Sequence, residues 1–262
     1  MSGPTALAHV TRMLEAAGCV AAADEARELL RAARGDGDLH EMVSRRAAGE
    51  PLAWITGSVR FCGIELHVTP GVYVPRWQSE PLARRAAELL PPTGVAVDVC
   101  TGAGNVALVM RGARPGARVL GTESDPLAAS CARHNGIEVY EGELVEPLPG
   151  ELEASVDVMT GVLPYVPTEM LRFLPRDVLR FEPRRALDGG TGGLDVLATM
   201  VAQSPRWVRP GGWLLLEAGE DQVAGLRELF AASGFGSNVV LRDGDGDPRG
   251  VCGQLGRRHL RA

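Results

Sequence analysis

The sequence predicts an α/β fold: a mostly parallel, doubly wound, Rossmann-like sheet with an antiparallel last strand, preceded by a small helical unit and a β-hairpin connector. Three observations carry this reading. From about Val95 onward, short apolar runs alternate with helical patterns, the spacing of βαβ units. Near the end, "SNVVLRDGDGDPRGVCGQL" holds two strand-like runs around a tight Asp/Gly/Pro loop, an antiparallel hairpin at the sheet edge. Before residue 50, apolar residues recur at helical spacing.

In chain order, Leu7, Val10, Met13 and Leu14 mark a first helix, and Ala22, Ala26, Leu29 and Leu30 a second. "GDGD" at 35–38 breaks the pattern, and a third helix runs from about Leu39 to Ala48, ending near Gly49. Residues 1–50 thus form a helical unit, a packing arm or a partner-recognition module as far as composition goes. In the connector, 51–80, Phe61, Ile64, Leu66, Val68, Val72 and Val74 lie among Gly57, Gly63, Pro70, Gly71 and Pro75, which is hairpin texture. The remaining domain, 81–262, has strands at 95–99, 118–122, 137–140, 155–160 and 213–218 before the final hairpin. Asp243, Asp245 and Asp247 alternate like the start of a calcium loop. Pro248 stands where the turn glycine belongs and Gln254 where the bidentate Glu belongs, so a plain turn is expected.

A chain of 262 residues with 45% apolar and 23% charged residues is an ordinary globular chain that needs no staples. No run approaches a membrane span, and the N-terminus lacks the pattern of a signal peptide. Five scattered cysteines suggest buried thiols in a reducing, cytoplasmic compartment. Cys131 and His134 are one helical turn apart but have no second pair, so no metal is expected. The net charge of −6 argues against a phosphate-backbone partner, and the basic tail "RRHLRA" reads as a solvated end. With no lysine in the chain, a Walker-type phosphate loop and Schiff-base chemistry are excluded.

The chemistry-bearing segment is "VDVCTGAGNVAL" (97–108), a glycine turn between a strand and a helix. Gly102 and Gly104 let backbone approach a ligand, and the helix start offers free N–H groups. Glu123 ends the next strand, 19 residues after Gly104, where a carboxylate can take both ribose hydroxyls. Gly102-x-Gly104-x-x-Ala107 also fits a dinucleotide fingerprint. Three features favour S-adenosylmethionine: Asp98 just before the turn, the absence of a second mononucleotide-binding half, and the antiparallel last hairpin.

Several segments together resemble one family, the protein-(glutamine N5) methyltransferases of the HemK/PrmC type. "RRAAGEPLAWITGSVRFCGIELHVTPGVYVPR" (45–76) resembles its connector. "DVCTGAGNVAL" resembles its cofactor loop, with Cys100 where a Gly is usual and Thr101 beside it. "TESDPLA" resembles its ribose-binding strand end. "EGELVEPL" (141–148) resembles its adenine-flanking segment, with Glu143 in place of an Asp and Leu144 next to it. "RFEPRRALDGGTGGLD" (180–195) and "PGGWLLLEAG" (210–219) match as well. The resemblance implies a class I methyltransferase fold, S-adenosylmethionine as cofactor, a translation factor or ribosomal protein as substrate, and a helical N-terminus that recognises it.

Two segments depart from the family pattern. "PRWQSE" (75–80) has Trp77 and Gln78 where a Pro and an acid are usual. The family's acceptor signature Asn-Pro-Pro-Tyr is here Val162-Leu163-Pro164-Tyr165. The resemblance implies that the Asn side chain and the next backbone carbonyl accept the two amide hydrogens of a substrate glutamine. Val162 accepts none, which leaves the Leu163 carbonyl and the Tyr165 ring. Two further readings stay open at this point: N-methylation of a small molecule or base, and a catalytically weak cofactor-binding homologue.

Overall fold

The computed structural model describes residues 4–256, apart from the side chains of residues 176 and 177; the tail "RRHLRA" lies outside them. Helices α1 (Pro4–Ala16), α2 (Ala22–Ala32) and α3 (Asp36–Ala47) pack around Val10, Leu14, Ala26, Leu29, Met42 and Val43. The "GDGD" stretch does not precede α3 but forms its first turn. Asp36 and Asp38 complement the positive end of the helix there, and the Asp38 carboxylate accepts the Arg34 N–H at 2.7 Å.

The connector holds a short helix that its glycine-rich texture does not suggest, α4 (Leu52–Thr56), ended by Gly57 at φ +81°. Its Ile55 joins the N-terminal cluster, while Ala53 and Trp54 join the core of the following sheet. The Trp54 indole N–H donates to the Val72 carbonyl at 2.9 Å. The hairpin β1 (Ser58–Phe61) and β2 (Ile64–His67) is antiparallel, and Phe61, Leu66, Val68, Val72 and Val74 are buried against that same sheet.

After α5 (Glu80–Leu89) the expected alternation unfolds: β3 (Val95–Val99), α6 (Asn105–Ala113), β4 (Arg118–Glu123), α7 (Pro126–His134), β5 (Glu138–Glu141), β6 (Val156–Gly161), α8 (Arg176–Phe181), α9 (Asp195–Gln203), β7 (Val208–Glu217), α10 (Val223–Ala232), β8 (Phe235–Arg242) and β9 (Pro248–Leu255). The sheet order is β5-β4-β3-β6-β7-β9-β8, parallel except for β9, which is antiparallel to both neighbours. β7 starts earlier than the apolar run "WLLLEA" indicates. Val208 already pairs with Val156, and a register shift absorbs the Pro210-Gly-Gly that reads as a turn. The central strands are buried on both faces, as Val97, Val158 and Leu215 illustrate. The chain order reverses between β3 and β6, the switch point outside which doubly wound sheets place ligands.

The Asp243 loop is a turn. Its carboxylate accepts the N–H groups of Asp245 and Asp247, each at 3.0 Å, and the Arg249 guanidinium at 2.7 Å. The Cys131 thiol donates to the His67 carbonyl, and the His134 ring packs on the His67 ring with centroids 4.6 Å apart.

Candidate functional site

A cavity of about 420 Å³ opens at the carboxyl ends of β3, β4 and β6. Cys100, Gly102, Glu123, Glu143 and Leu144 line one half of it, and Tyr73, Val162, Pro164, Pro183 and Ala186 are among the residues lining the rest. Sequence expectations from three distant segments therefore meet in one space. Asp98, Thr101, Gly104, Leu163 and Tyr165 are not among the residues that line it.

Asp98 is 2% exposed on β3, in register with Thr160 of β6. Both of its oxygens are taken, by the Thr101 hydroxyl at 2.7 Å and the Thr160 hydroxyl at 2.8 Å. Burial pushes its carboxyl up to about 6, against the opposing pull of those two hydroxyls. Its carboxylate thus ties the loop at Thr101 to β6 at Thr160, and Asp98 is not among the residues that line the cavity. Thr101 sits over Gly121, where a Cβ would come within 2.7 Å of the threonine methyl. Cys100 occupies its glycine-like place at φ +54°, and burial raises its thiol.

The two loop glycines serve different ends. Gly102 has φ +56° and no atom within 4 Å of the Cβ it lacks, so it keeps the space open. At Gly104 a Cβ would stand 3.0 Å from Ile137 and 3.3 Å from Ala132, so its closeness is to α7 and β5's approach, not to the cavity. The Gly102 N–H donates to Glu123 Oε2 at 2.9 Å. Glu123 Oε1 accepts the Asp125 N–H at 3.0 Å. Glu123 lines the cavity, and a carboxylate with about four lone-pair sites has acceptor capacity beyond these backbone donors. Burial raises the Glu123 carboxyl, offset in part by these backbone donors.

The acceptor turn is fixed from behind. Leu163 is 2% exposed, packs in the core and is not among the residues that line the cavity. The Tyr165 hydroxyl donates to Glu217 Oε1 at 2.9 Å, at the end of β7. Its carbonyl accepts Gln222 Nε2 at 2.6 Å, and that same nitrogen donates to the Gly192 carbonyl at 3.0 Å. The Val166 N–H donates to the Leu187 carbonyl at 2.9 Å, and the Gly189 N–H returns to the Val166 carbonyl at 2.8 Å. At Gly193, φ +71°, a Cβ would lie 2.0 Å from the Tyr165 oxygen. "ALDGGTGG" is thus a backbone mould for Pro164-Tyr165. Glu217 is 3% exposed, and burial raises its carboxyl against the opposing pull of the Ser79 and Tyr165 hydroxyls.

Sequence reasoning missed Tyr73, Asp125, Arg185, Glu217 and Gln222. Tyr73 lines the cavity from the connector, its hydroxyl pushed up to about 12 by burial. Glu217 lies within the recognised "PGGWLLLEAG" and Gln222 three residues beyond it, and that adjacency was the available signal. At the other departure, Trp77 is exposed, with the Arg249 guanidinium 5.1 Å from its ring centroid.

No family model matches the chain. A protein of Geobacter sulfurreducens named release factor glutamine methyltransferase is 35% identical over 221 residues, 82% of this chain and 77% of that one. A Streptomyces pristinaespiralis protein named 4-amino-L-phenylalanine/4-methylamino-L-phenylalanine methyltransferase is 34% identical over 211 residues, 76% of this chain and 72% of that one. Among solved structures, Pyrococcus horikoshii TYW2 in complex with MeSAdo superposes with a TM-score of 0.50 at 14% identity, covering 76% of this chain and 70% of that one, a likeness of fold.

Proposed function

The chain belongs to the release factor glutamine methyltransferase family, and on that premise we propose that it is an S-adenosylmethionine-dependent N-methyltransferase acting on a glutamine side chain of a translation protein, with an altered acceptor pocket. The observation that carries this reading is the meeting of the Gly102–Glu123 cradle and the Pro164-Tyr165 turn at one cavity. Such a substrate belongs in the cytoplasm. Among the described residues no helix is long and apolar enough to cross a membrane.

The residues present fit the cofactor. Gly102 leaves room, Glu123 offers the ribose two acceptors, Glu143 and Leu144 flank the adenine, and Asp98 ties the loop to β6. When bound, S-adenosylmethionine supplies a methyl group on a sulfonium, ready for displacement by a nitrogen. The protein's task is to aim that nitrogen, so catalysis rests on positioning and preorganised dipoles. The Leu163 carbonyl accepts one N–H of the acceptor, and Pro164 and Tyr73 wall the approach. The proton leaves after transfer, so no general base is required beforehand. Val162 leaves the second amide N–H unmet, a loss of about 1–3 kcal/mol, or roughly 5- to 150-fold in rate.

Labelled cofactor with a glutamine-bearing release factor tests this. The expected result is slow transfer that rises roughly 5- to 150-fold in Val162→Asn. A protein that binds the cofactor yet labels no protein, with or without that substitution, would sink the glutamine reading. Val162 itself favours a second reading, an aromatic amine as acceptor. An arylamine nitrogen is more nucleophilic than an amide and needs no second acceptor, and one relative is named for such a substrate. Label on 4-aminophenylalanine but not on release factor would select it.

A further inference from the structure

The segment 183–190 touches both halves of the cavity. Its turn Arg184–Ala186 is closed by the Leu187 and Asp188 N–H groups, each donating to the Arg184 carbonyl at 2.9 Å. Beyond the turn, Leu187 and Gly189 hold Val166 by the two backbone bonds described above, and the Gly190 carbonyl accepts the Thr168 N–H at 3.0 Å. Within the turn, the Arg185 guanidinium pairs with the Asp125 carboxylate across the cavity. Asp125 in turn caps α7 through the Leu127 N–H at 3.0 Å and gives its own N–H to Glu123. Among the described residues Arg185 is the one basic side chain lining the cavity, against Glu123, Asp125, Glu143, Asp188 and Asp195. A continuous chain of bonds therefore runs from Gly102 through Glu123, Asp125 and Arg185 to Leu187 and Val166.

We infer that Arg185 is a positioning residue that couples cofactor binding to the acceptor wall. A cofactor held by Glu123 steadies Asp125 and with it the Arg185 bridge. The bridge then draws the 184–188 turn, and the wall at Val166, into one fixed arrangement. The cofactor gains a clasp against escape, and the acceptor turn becomes rigid only when there is a methyl group to deliver. Coupling of this kind needs a connected network with energetic consequence at both ends, and it is reciprocal. The inference rests on the cofactor reading proposed above but not on the identity of the acceptor.

Amide hydrogen exchange of the full chain, with and without S-adenosylhomocysteine, tests it without any acceptor. In the wild type the product should slow exchange in the peptides carrying Val166 and Gly189 by roughly fivefold or more. In Arg185→Ala that protection at the wall should vanish while the Gly102 loop stays protected, and product dissociation should quicken by roughly fivefold. Arg185→Lys, which keeps the charge, should restore both. Arg185 lies on the surface side of the cavity, its side chain 62% exposed, so the alanine variant should still fold. Wild-type protection of the wall in Arg185→Ala would overturn the coupling and leave the cofactor reading intact. Failure of the wild type to bind the product would overturn both.

Discussion

In the cofactor half of the cavity, Glu123, Asp125 and Glu143 line the space itself, whereas at the acceptor turn Val162 and Pro164 line it and the side chains that brace the turn do not. Glu217 and Gln222 never reach that cavity; they grip Tyr165 by its hydroxyl and its carbonyl. As proposed, one half would meet its ligand with side chains. The other is a turn whose shape is held by Glu217 and Gln222. Damage should therefore read out differently: in affinity for the cofactor on one side, in fold or rate on the other.

The harshest way to break the comparison is Gly193→Ala. The new Cβ would strike the Tyr165 oxygen and sit 2.1 Å from Gln222 Nε2, in a backbone conformation alanine resists. A stability loss of about 3 kcal/mol or more is expected in urea denaturation. A soluble variant as stable as the wild type would show that the mould is not rigid.

Asp98 sharpens the comparison from below the cofactor half. Its folded value of about 6 lies above the 3.8 of an ordinary aspartate. A raised carboxyl binds more protons folded than unfolded, so its penalty is full above about pH 6 and disappears as pH falls toward about 4. The interval corresponds to roughly 3 kcal/mol. Stability measured from pH 7 down to 4 should carry this rising component in the wild type and lack it in Asp98→Asn.

Glu123→Gln removes a charge that meets the Gly102 and Asp125 N–H groups and, as proposed, the ribose. Calorimetry with S-adenosylhomocysteine should show weakening by about 2 kcal/mol, roughly 30-fold, with little change in thermal stability. Tyr165→Phe should do the converse. It strips Glu217 of a donor and costs about 1–2 kcal/mol of stability, with cofactor affinity unchanged. Equal effects of these two variants on product affinity would erase the distinction between the halves.

Much of the cofactor half was legible in the chain because its signals are local. A strand, a glycine turn and a carboxylate at the next strand end fall within 97–123, and each residue there does its work beside its sequence neighbours. Even so, periodicity and spacing do not show that Asp98 bonds Thr160 or that Gly104 packs against Ala132, since both depend on which neighbour lies across the sheet or on α7. The acceptor half was legible only as a motif with its asparagine missing. Its supports come from residues 187–193, through backbone bonds that leave no mark on residue type, and from the Glu217 and Gln222 side chains, which are remote from it in sequence.

By itself the sequence determined the order of elements, the parallel sheet with its reversed last strand and the place of the cofactor loop. Hydrophobic period and turn chemistry are encoded residue by residue along the chain. Only the tertiary structure decided that the aspartate at 98 serves the loop, that a glutamate and a glutamine at the end of a distant strand brace the acceptor turn, and that Arg185 reaches Asp125. Those are pairings between remote segments, and they exist only once the strand order has brought the ends of β3, β4, β6 and β7 to one edge.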